Sequence, residues 1–157
     1  MATVVKGLIE YDGLTNFLPK NPKAFKEFII EEEFEIPEMK PDIEQIVKVS
    51  AKIEIIDKTV IQTPVSMSLE GQKLTGWKLV VEGEVHQKIE YVADEPTQKV
   101  HAVHKVMPFS TFIVLSRNHK QEDAVMVVPY IEDIFVMQRG KRNIFKNITI
   151  LLDAIQK

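Results

Sequence analysis

The most regular feature of the chain is a two-residue alternation of apolar and polar side chains, which is typical of half-buried β-strands. The alternation is clearest over residues 77–91, where most odd positions are apolar and most even positions are charged or polar. This stretch is longer than the usual strand of about 3–10 residues, so we expect Gly83 or Gln87 to mark a bulge or bend. Further strands are predicted over residues 4–11, 25–36, 47–55, 100–107, 108–115, 125–137 and 144–152.

Short segments rich in glycine, proline and charged residues separate these strands, at residues 70–72, 94–96, 117–123 and 139–141. Strands that alternate with turns at this spacing favour an all-β fold, either an antiparallel sandwich or a barrel-like domain. Proline at position 22 or 41 could begin a short helical turn, so we expect one or two such turns at most. Residues 109–115 are apolar on both faces, which predicts a central strand.

The length of the chain, 157 residues, predicts one domain that spans residues 1–157. Its first 35 residues would form N-terminal strands that are candidates for a role in assembly. No cysteine is present, which excludes disulfide scaffolds, zinc–thiolate sites and cysteine nucleophiles. The net charge of −3 argues against nucleic acid as a partner. The sequence shows no signal peptide and no apolar stretch long enough for a membrane span.

Histidines and paired carboxylates are the candidates for metal binding or catalysis. His101 and His104 lie three residues apart on a predicted strand, so their side chains face opposite sides and cannot easily share one ion. His86 and His119 fit solvated or locally bonded positions better than metal ligands. The carboxylates of Glu132 and Asp133 match no catalytic motif, and no glycine-rich phosphate loop occurs. We therefore expect no catalytic residue, no metal site and no cofactor, and hence no enzyme.

An acidic run and a basic turn are the first candidates for an assembly surface. The acidic run contains Glu31, Glu32 and Glu33 on a predicted strand, and the basic turn contains Arg139, Lys141 and Arg142. One explanation is ordinary, since charged edge strands discourage aggregation and basic turns are commonly solvated. The other is functional: if the two patches lie at opposite ends of the molecule, they would attract each other head to tail between copies.

The N-terminal strand is the second candidate for an assembly surface. It carries apolar side chains close to the chain terminus, at Val4, Val5, Leu8 and Ile9. A terminal segment with this pattern is expected to pair with a sheet, because free ends are otherwise poorly ordered. The sheet could belong to the same chain or to a neighbouring copy, and the second case would be a donated strand.

Several segments, taken in order along the chain, resemble the SPOCS domain family. They are KPDIEQI at 40–46, LTGWKL at 74–79, VEG at 81–83, PFSTFI at 108–113, IEDI at 131–134 and the strand at 144–152. This family is typified by the SipL spore-morphogenesis protein of anaerobic, spore-forming Firmicutes. The resemblance implies a non-enzymatic module of the spore envelope that acts through protein–protein contacts. The typical member also carries a LysM module, for which this sequence has no counterpart, so docking through LysM is not expected.

Our functional hypothesis is therefore a structural protein of the spore envelope that associates with itself into an oligomer or polymer. It would be a coat, exosporium or appendage subunit, made in the mother-cell cytoplasm and deposited on the spore surface. One alternative is a monomeric adaptor that docks another spore coat protein through a sheet edge. Another is a small-ligand or carbohydrate-binding module, which would need a concave site lined by aromatic residues.

Overall fold

The computed structural model describes residues 2–67 and 73–156, and these residues contain strands but no helix. The turn expected at residues 70–72 lies outside the described residues. Eight strands follow one another along the chain: β1 Ala2–Lys6, β2 Ile9–Leu14, β3 Phe25–Glu35, β4 Ile43–Met67, β5 Lys73–Ala93, β6 Val100–Val114, β7 Val125–Gln138 and β8 Asn143–Gln156. The expected all-β class is confirmed.

The strands form two packed sheets, one with the order β1-β2-β4-β5-β6 and one with the order β3-β8-β7. All neighbouring strands run antiparallel except β2 and β4, which are parallel. The parallel pairing is short and joins residues 10–12 to residues 48–50. The result is a sandwich in which β4 and β5 form the longest antiparallel pair.

The alternation over residues 77–91 lies in β5, where the odd positions face the second sheet and are buried from Leu79 onward. The expected bulge is not in β5 itself but in β4, where the register shifts between Ile55 and Asp57, opposite Gly83. Gly83 serves a different purpose, because the ring of Phe109 lies directly over it. A Cβ at this position would come within 2.7 Å of a ring carbon and 2.8 Å of the Glu54 carbonyl oxygen. Only glycine allows this close approach.

Strands replace the two expected helical turns. Phe25 begins β3 three residues after Pro22, and Ile43 begins β4 two residues after Pro41, without a helical turn at either proline. Pairing of β3 with β8 and of β4 with β5 satisfies the backbone groups of these segments. Tertiary pairing therefore overrides the local preference of a proline for the first turn of a helix.

The prediction of a central strand at residues 109–115 was wrong, because β6 is an edge strand of the five-stranded sheet. Pro108 fits this position, since an edge strand tolerates a residue without an N–H group. On the second face of β6, the Phe112 ring lies against two lysine side chains, one from β3 and one from β5. The ammonium groups of Lys26 and Lys78 lie 4.5 Å and 4.4 Å from the centre of the Phe112 ring.

The hydrophobic core fills the space between the two sheets. Two tyrosine hydroxyls form hydrogen bonds to backbone groups at the margins of this core. Tyr91 is fully buried and donates a hydrogen bond to the carbonyl of Pro41 at 2.8 Å. Tyr11 is bonded to both backbone groups of Val136, which ties the five-stranded sheet to β7. Trp77 is half-buried, packs against this core and lies edge-on to the His119 ring at 5.1 Å.

Candidate assembly surfaces

The acidic run of β3 is divided between the two faces of the strand. Glu31 and Glu33 point outward, whereas Glu32 points inward, because successive side chains of a strand alternate. The Glu32 carboxylate lies 3.1 Å from the Lys105 amine and 3.5 Å from the Lys146 amine. Glu32 therefore forms a contact between the two sheets and is not part of the outward-facing acidic surface.

The basic turn lies beside the acidic end of β3 in the same chain. β3 pairs with β8 so that Glu35 is opposite Asn143, which places the β7–β8 hairpin next to the acidic residues. Arg139 lies 3.4 Å from Glu33, and Arg142 lies 3.8 Å from Glu35. The condition for a head-to-tail attraction, that the patches occupy opposite ends of the molecule, is therefore not met.

Arg142 is the most extensively bonded residue of this basic turn. Its guanidinium donates hydrogen bonds to the carbonyls of Lys40 at 3.0 Å and Pro37 at 2.9 Å, and to the Asp42 carboxylate at 2.9 Å. The backbone carbonyls of Lys141 and Arg142 accept hydrogen bonds from the amides of residues 43 and 36. The turn therefore holds the connection between β3 and β4 in place.

Lys146 is a buried lysine between the two sheets, with a side chain only 1% exposed. Its amine has no hydrogen-bond partner and lies 5.1 Å from the centre of the Phe34 ring. Burial lowers the pKa of Lys146 to about 8, although the nearby Glu32 carboxylate opposes this change. The Gln87 amide, also buried without a hydrogen-bond partner, adds to this polar layer within the core.

The adjacent carboxylates Glu132 and Asp133 occupy different environments. Asp133 forms an ion pair with Lys6 at the end of β1. Glu132 lies beside Glu27 of β3. Burial, followed by the hydrogen bond and the negative charge of Glu27, raises the pKa of Glu132 to about 7. The pair therefore links β1 and β3 to β7.

The N-terminal strand β1 pairs with β2 of its own chain and forms one edge of the five-stranded sheet. Val5 is 67% exposed, and Leu8 in the adjoining turn is 76% exposed. Val4 is also exposed, whereas Ile9 packs against the core. The outer edge of β1 thus presents apolar side chains and, among the described strands, has no partner.

The free edge of β4, by which we mean the side of residues 51–67 that faces away from β5, was not recognised in the sequence. β2 pairs with β4 only as far as Ser50, and no other described strand pairs with this side. Ile61, Val65 and Met67 expose apolar side chains along this segment. Its β-branched residues at 59–61, 63 and 65 are a signal that could have revealed the extension of the strand.

The histidines lie in four different settings. His101 approaches Glu95 at 3.4 Å, and His104 is exposed on the other face of β6. His119 is buried, with its Nδ1 atom 2.7 Å from the side-chain nitrogen of Gln156. His86 lies between two carboxylates on the outer face of the five-stranded sheet.

The comparison with protein families gives one decisive finding. Residues 42–138 match the family described as SipL, SPOCS domain. The chain belongs to the SPOCS domain family. It is therefore a sporulation-related protein. No match was found among curated proteins or among solved structures.

The SPOCS match begins just before β4 and ends with the last residue of β7. The matched range includes the free edge of β4. Arg139 is the first residue after the matched range. Strands β1, β2, β3 and β8 fall outside the matched range, although they pack against the same core. Within the described residues, no helix is both long enough and apolar enough to cross a membrane.

Proposed function

We propose that this SPOCS domain protein is a non-enzymatic structural component of the bacterial spore envelope that associates with itself. In this proposal the protein is made in the mother cell and deposited on the spore surface as a coat, exosporium or appendage subunit. Membership of the SPOCS domain family supports a role in the spore envelope, and the free edge of β4 supports self-association through strand pairing.

The unpaired backbone of β4 is the observation that carries the proposal. A strand edge presents N–H and C=O groups that readily pair with a strand from another chain. Here the edge extends from residue 51 to Met67 and is bordered by exposed apolar side chains, including Val65 at 72% exposure. Pairing with a second copy would satisfy the backbone groups and bury this apolar surface.

The outer edge of β1 is the partner that we assign to the free edge of β4. Both are strand edges without a described partner, and both carry exposed apolar residues such as Val5 and Ile61. Strand addition of this kind gains affinity from backbone hydrogen bonds and specificity from alternate side chains. The charged patches of β3 and the basic turn contribute less, because Arg139 and Arg142 already form ion pairs with Glu33 and Glu35 within the chain.

Two matched double variants test the proposal. Ile61→Lys combined with Val65→Lys places two charges beside the free edge of β4 and should convert the assembly to monomers. Val100→Lys combined with Val106→Lys makes the same change at exposed residues of β6, the other edge of the sheet, and should leave the assembly intact. Light scattering coupled to size-exclusion chromatography measures the mass, and negative-stain microscopy shows any polymer.

The outcomes separate the proposed function from the adaptor. A wild-type protein that remains monomeric over a range of concentration and salt contradicts self-association and favours an adaptor for another envelope protein. Equal loss of assembly in both double variants contradicts the assignment of the interface to β4. Circular dichroism of each variant confirms that it has retained the strand content of the wild-type protein.

A further inference from the structure

The solvent-facing side of the five-stranded sheet holds an imidazole between two carboxylates. The His86 Nε2 atom lies 3.0 Å from a Glu54 oxygen and 3.4 Å from a Glu84 oxygen. One ligand atom from each of the three residues lies within 4.8 Å of the other two. The three side chains come from two adjacent strands and converge at one point on this face.

The strand register explains why these residues meet. Glu54 of β4 is directly opposite Glu84 of β5, and His86 follows Glu84 by two residues on the same face. Carboxylates directly opposite each other in a sheet repel and destabilise the pairing. The sequence does not reveal the cluster, because Glu54 belongs to a different strand and meets His86 only through the register.

A second acidic pair lies next to the first. The bulge between Ile55 and Asp57 places Asp57 directly opposite Glu82. In the described part of the chain, no lysine or arginine forms an ion pair with any of the four carboxylates. Lys52 occupies the register position opposite His86 and is likewise without such a pair. Among the described residues, four carboxylates that form no ion pair with a lysine or arginine therefore lie near His86 on this face.

The imidazole nitrogen points into the cluster without a satisfactory hydrogen bond. The Nε2 atom of His86 is shielded from solvent and has no partner with suitable hydrogen-bond geometry, despite the two carboxylates beside it. In a tetrahedral zinc site with bonds of about 2.0–2.1 Å, neighbouring ligand atoms are about 3.3 Å apart. The separations of Nε2 from the two carboxylate oxygens are close to this value.

We propose that His86, Glu54 and Glu84 form a zinc-binding site. The His86 Nε2 atom and one oxygen from each glutamate would supply three ligands, with water in the fourth position. The nitrogen donor favours zinc over calcium and magnesium, which prefer oxygen ligands alone. A bound cation would also relieve the repulsion between Glu54 and Glu84. The expectation of no metal site, drawn from the histidine spacing, is replaced by this proposal.

The alternative arrangement is a protonated imidazole that forms ion pairs with the two carboxylates and binds no metal. Only the proposed site binds added zinc, whereas the ion-paired imidazole does not. Neither arrangement requires a second copy of the chain. A failure of zinc binding therefore leaves the proposed self-association intact. Conversely, a monomeric protein could still bind zinc.

Isothermal titration of the full chain with zinc chloride, and separately with calcium chloride, tests the site. We expect one zinc ion per chain, together with a higher thermal unfolding temperature in the presence of zinc. His86→Ala and Glu84→Gln should each weaken zinc binding by about tenfold or more. Cobalt in place of zinc should give the visible absorption of a tetrahedral site, and this absorption should be lost in His86→Ala.

His104→Ala is the matched control, because His104 is exposed on the same face of the sheet, opposite Lys88. It should bind zinc as the wild-type protein does. The absence of zinc binding, or binding that is unchanged in His86→Ala, would overturn the proposal. Calcium binding that depends on the glutamates but not on His86 would also overturn it. Unfolding curves without metal show whether each variant is folded.

Discussion

Lys146 is a charged residue enclosed between two largely apolar sheets. Its amine lies near the Glu32 carboxylate of β3 and near the amine of Lys105 on β6, which also contacts Glu32. Burial penalises the charged form, and this lowers the pKa of Lys146 from 10.5 to about 8 in the folded protein. The unfolded chain has no such burial. The stability of the protein should therefore depend on pH in the alkaline range.

The sign of this dependence follows from proton binding. Between about pH 8 and pH 10.5, the unfolded chain retains the proton on Lys146 while the folded protein has lost it. Stability rises with pH wherever the unfolded state binds more protons. The contribution of Lys146 to the free energy of unfolding should therefore increase over this window by up to about 3 kcal/mol. Below pH 8, this contribution should be constant and at its lowest.

Urea unfolding at pH 7, 8.5 and 10 measures the effect. Other groups also titrate in this range, so the informative quantity is the difference between the wild-type protein and Lys146→Met. This difference should grow with pH in favour of the wild-type protein. Lys105→Met removes the other lysine of the cluster but retains Lys146, so its stability should still increase over this range. The increase should be somewhat smaller than in the wild-type protein, because the charge of Lys105 helps to lower the pKa of Lys146. A pH-independent difference for Lys146→Met would show that the amine is not desolvated.

The β7–β8 hairpin carries two arginines with different structural roles. Arg139 forms an exposed ion pair with Glu33 and lies 4.3 Å from the centre of the Phe145 ring. Pairs of this kind contribute about 0.2–1 kcal/mol. Arg142 instead bonds two backbone carbonyls and a carboxylate in the segment that joins β3 to β4. Its removal takes the side-chain donor from the Lys40 carbonyl and the Asp42 carboxylate, whereas the Pro37 carbonyl still accepts from the Lys40 amide. Such a loss costs about 1–3 kcal/mol.

Arg142→Ala should therefore lower the free energy of unfolding by about 2 kcal/mol, and Arg139→Ala by less than about 1 kcal/mol. Arg142→Lys keeps the positive charge but loses the planar fork, so it should recover little of the loss. Urea unfolding measures all three variants. Full recovery by Arg142→Lys would mean that charge alone matters. Loss of assembly in Arg139→Glu, with assembly intact after the charge additions on β4, would move the interface from β4 to the basic turn.

The pattern of side chains predicted the elements better than it predicted their neighbours. Alternation identified β5 because its inward positions are apolar along most of its length, and it also predicted the strand that became β8. Alternation cannot say which strands pair. The register of β3 with β8 brings Glu33 to Arg139, and the register of β4 with β5 brings Glu54 to His86. Both meetings involve residues far apart in sequence, so local patterns carry no trace of them.

The length of β4 was missed for a related reason. Beyond Ile55 the strand loses its clean alternation, because a bulge follows and neither face is deeply buried. Period-two alternation reports burial on one face rather than strand pairing itself. A strand that extends past the core is therefore weakly marked in the sequence. The same lack of cover makes this segment the candidate interface.

The arrangement of free edges in the whole molecule determines what kind of assembly can form. β2 lies between β1 and β4 but pairs with only three residues of β4, so the outer edge of β1 and the free edge of β4 border the same side of the sheet. A two-fold rotation perpendicular to the sheet would bring β1 of each copy to β4 of the other. Such a contact uses the same surface on both copies and closes at a dimer. A polymer would need a second interface.

Engineered disulfides test this symmetry directly, because the chain contains no cysteine of its own. Val5→Cys can be combined with Ile61→Cys in one variant and with Val65→Cys in another, so that β1 and β4 each carry one thiol. Under mild oxidation, a two-fold contact should give a cross-linked dimer on a non-reducing gel. A head-to-tail contact between the same strands would instead give a ladder of higher multimers.

Val5→Cys with Val100→Cys, which places the second thiol on β6, should give no specific product. Failure of both β4 variants to cross-link would remove β1 as the partner of β4, whereas a ladder would retain that pairing and replace the closed dimer with a propagating chain.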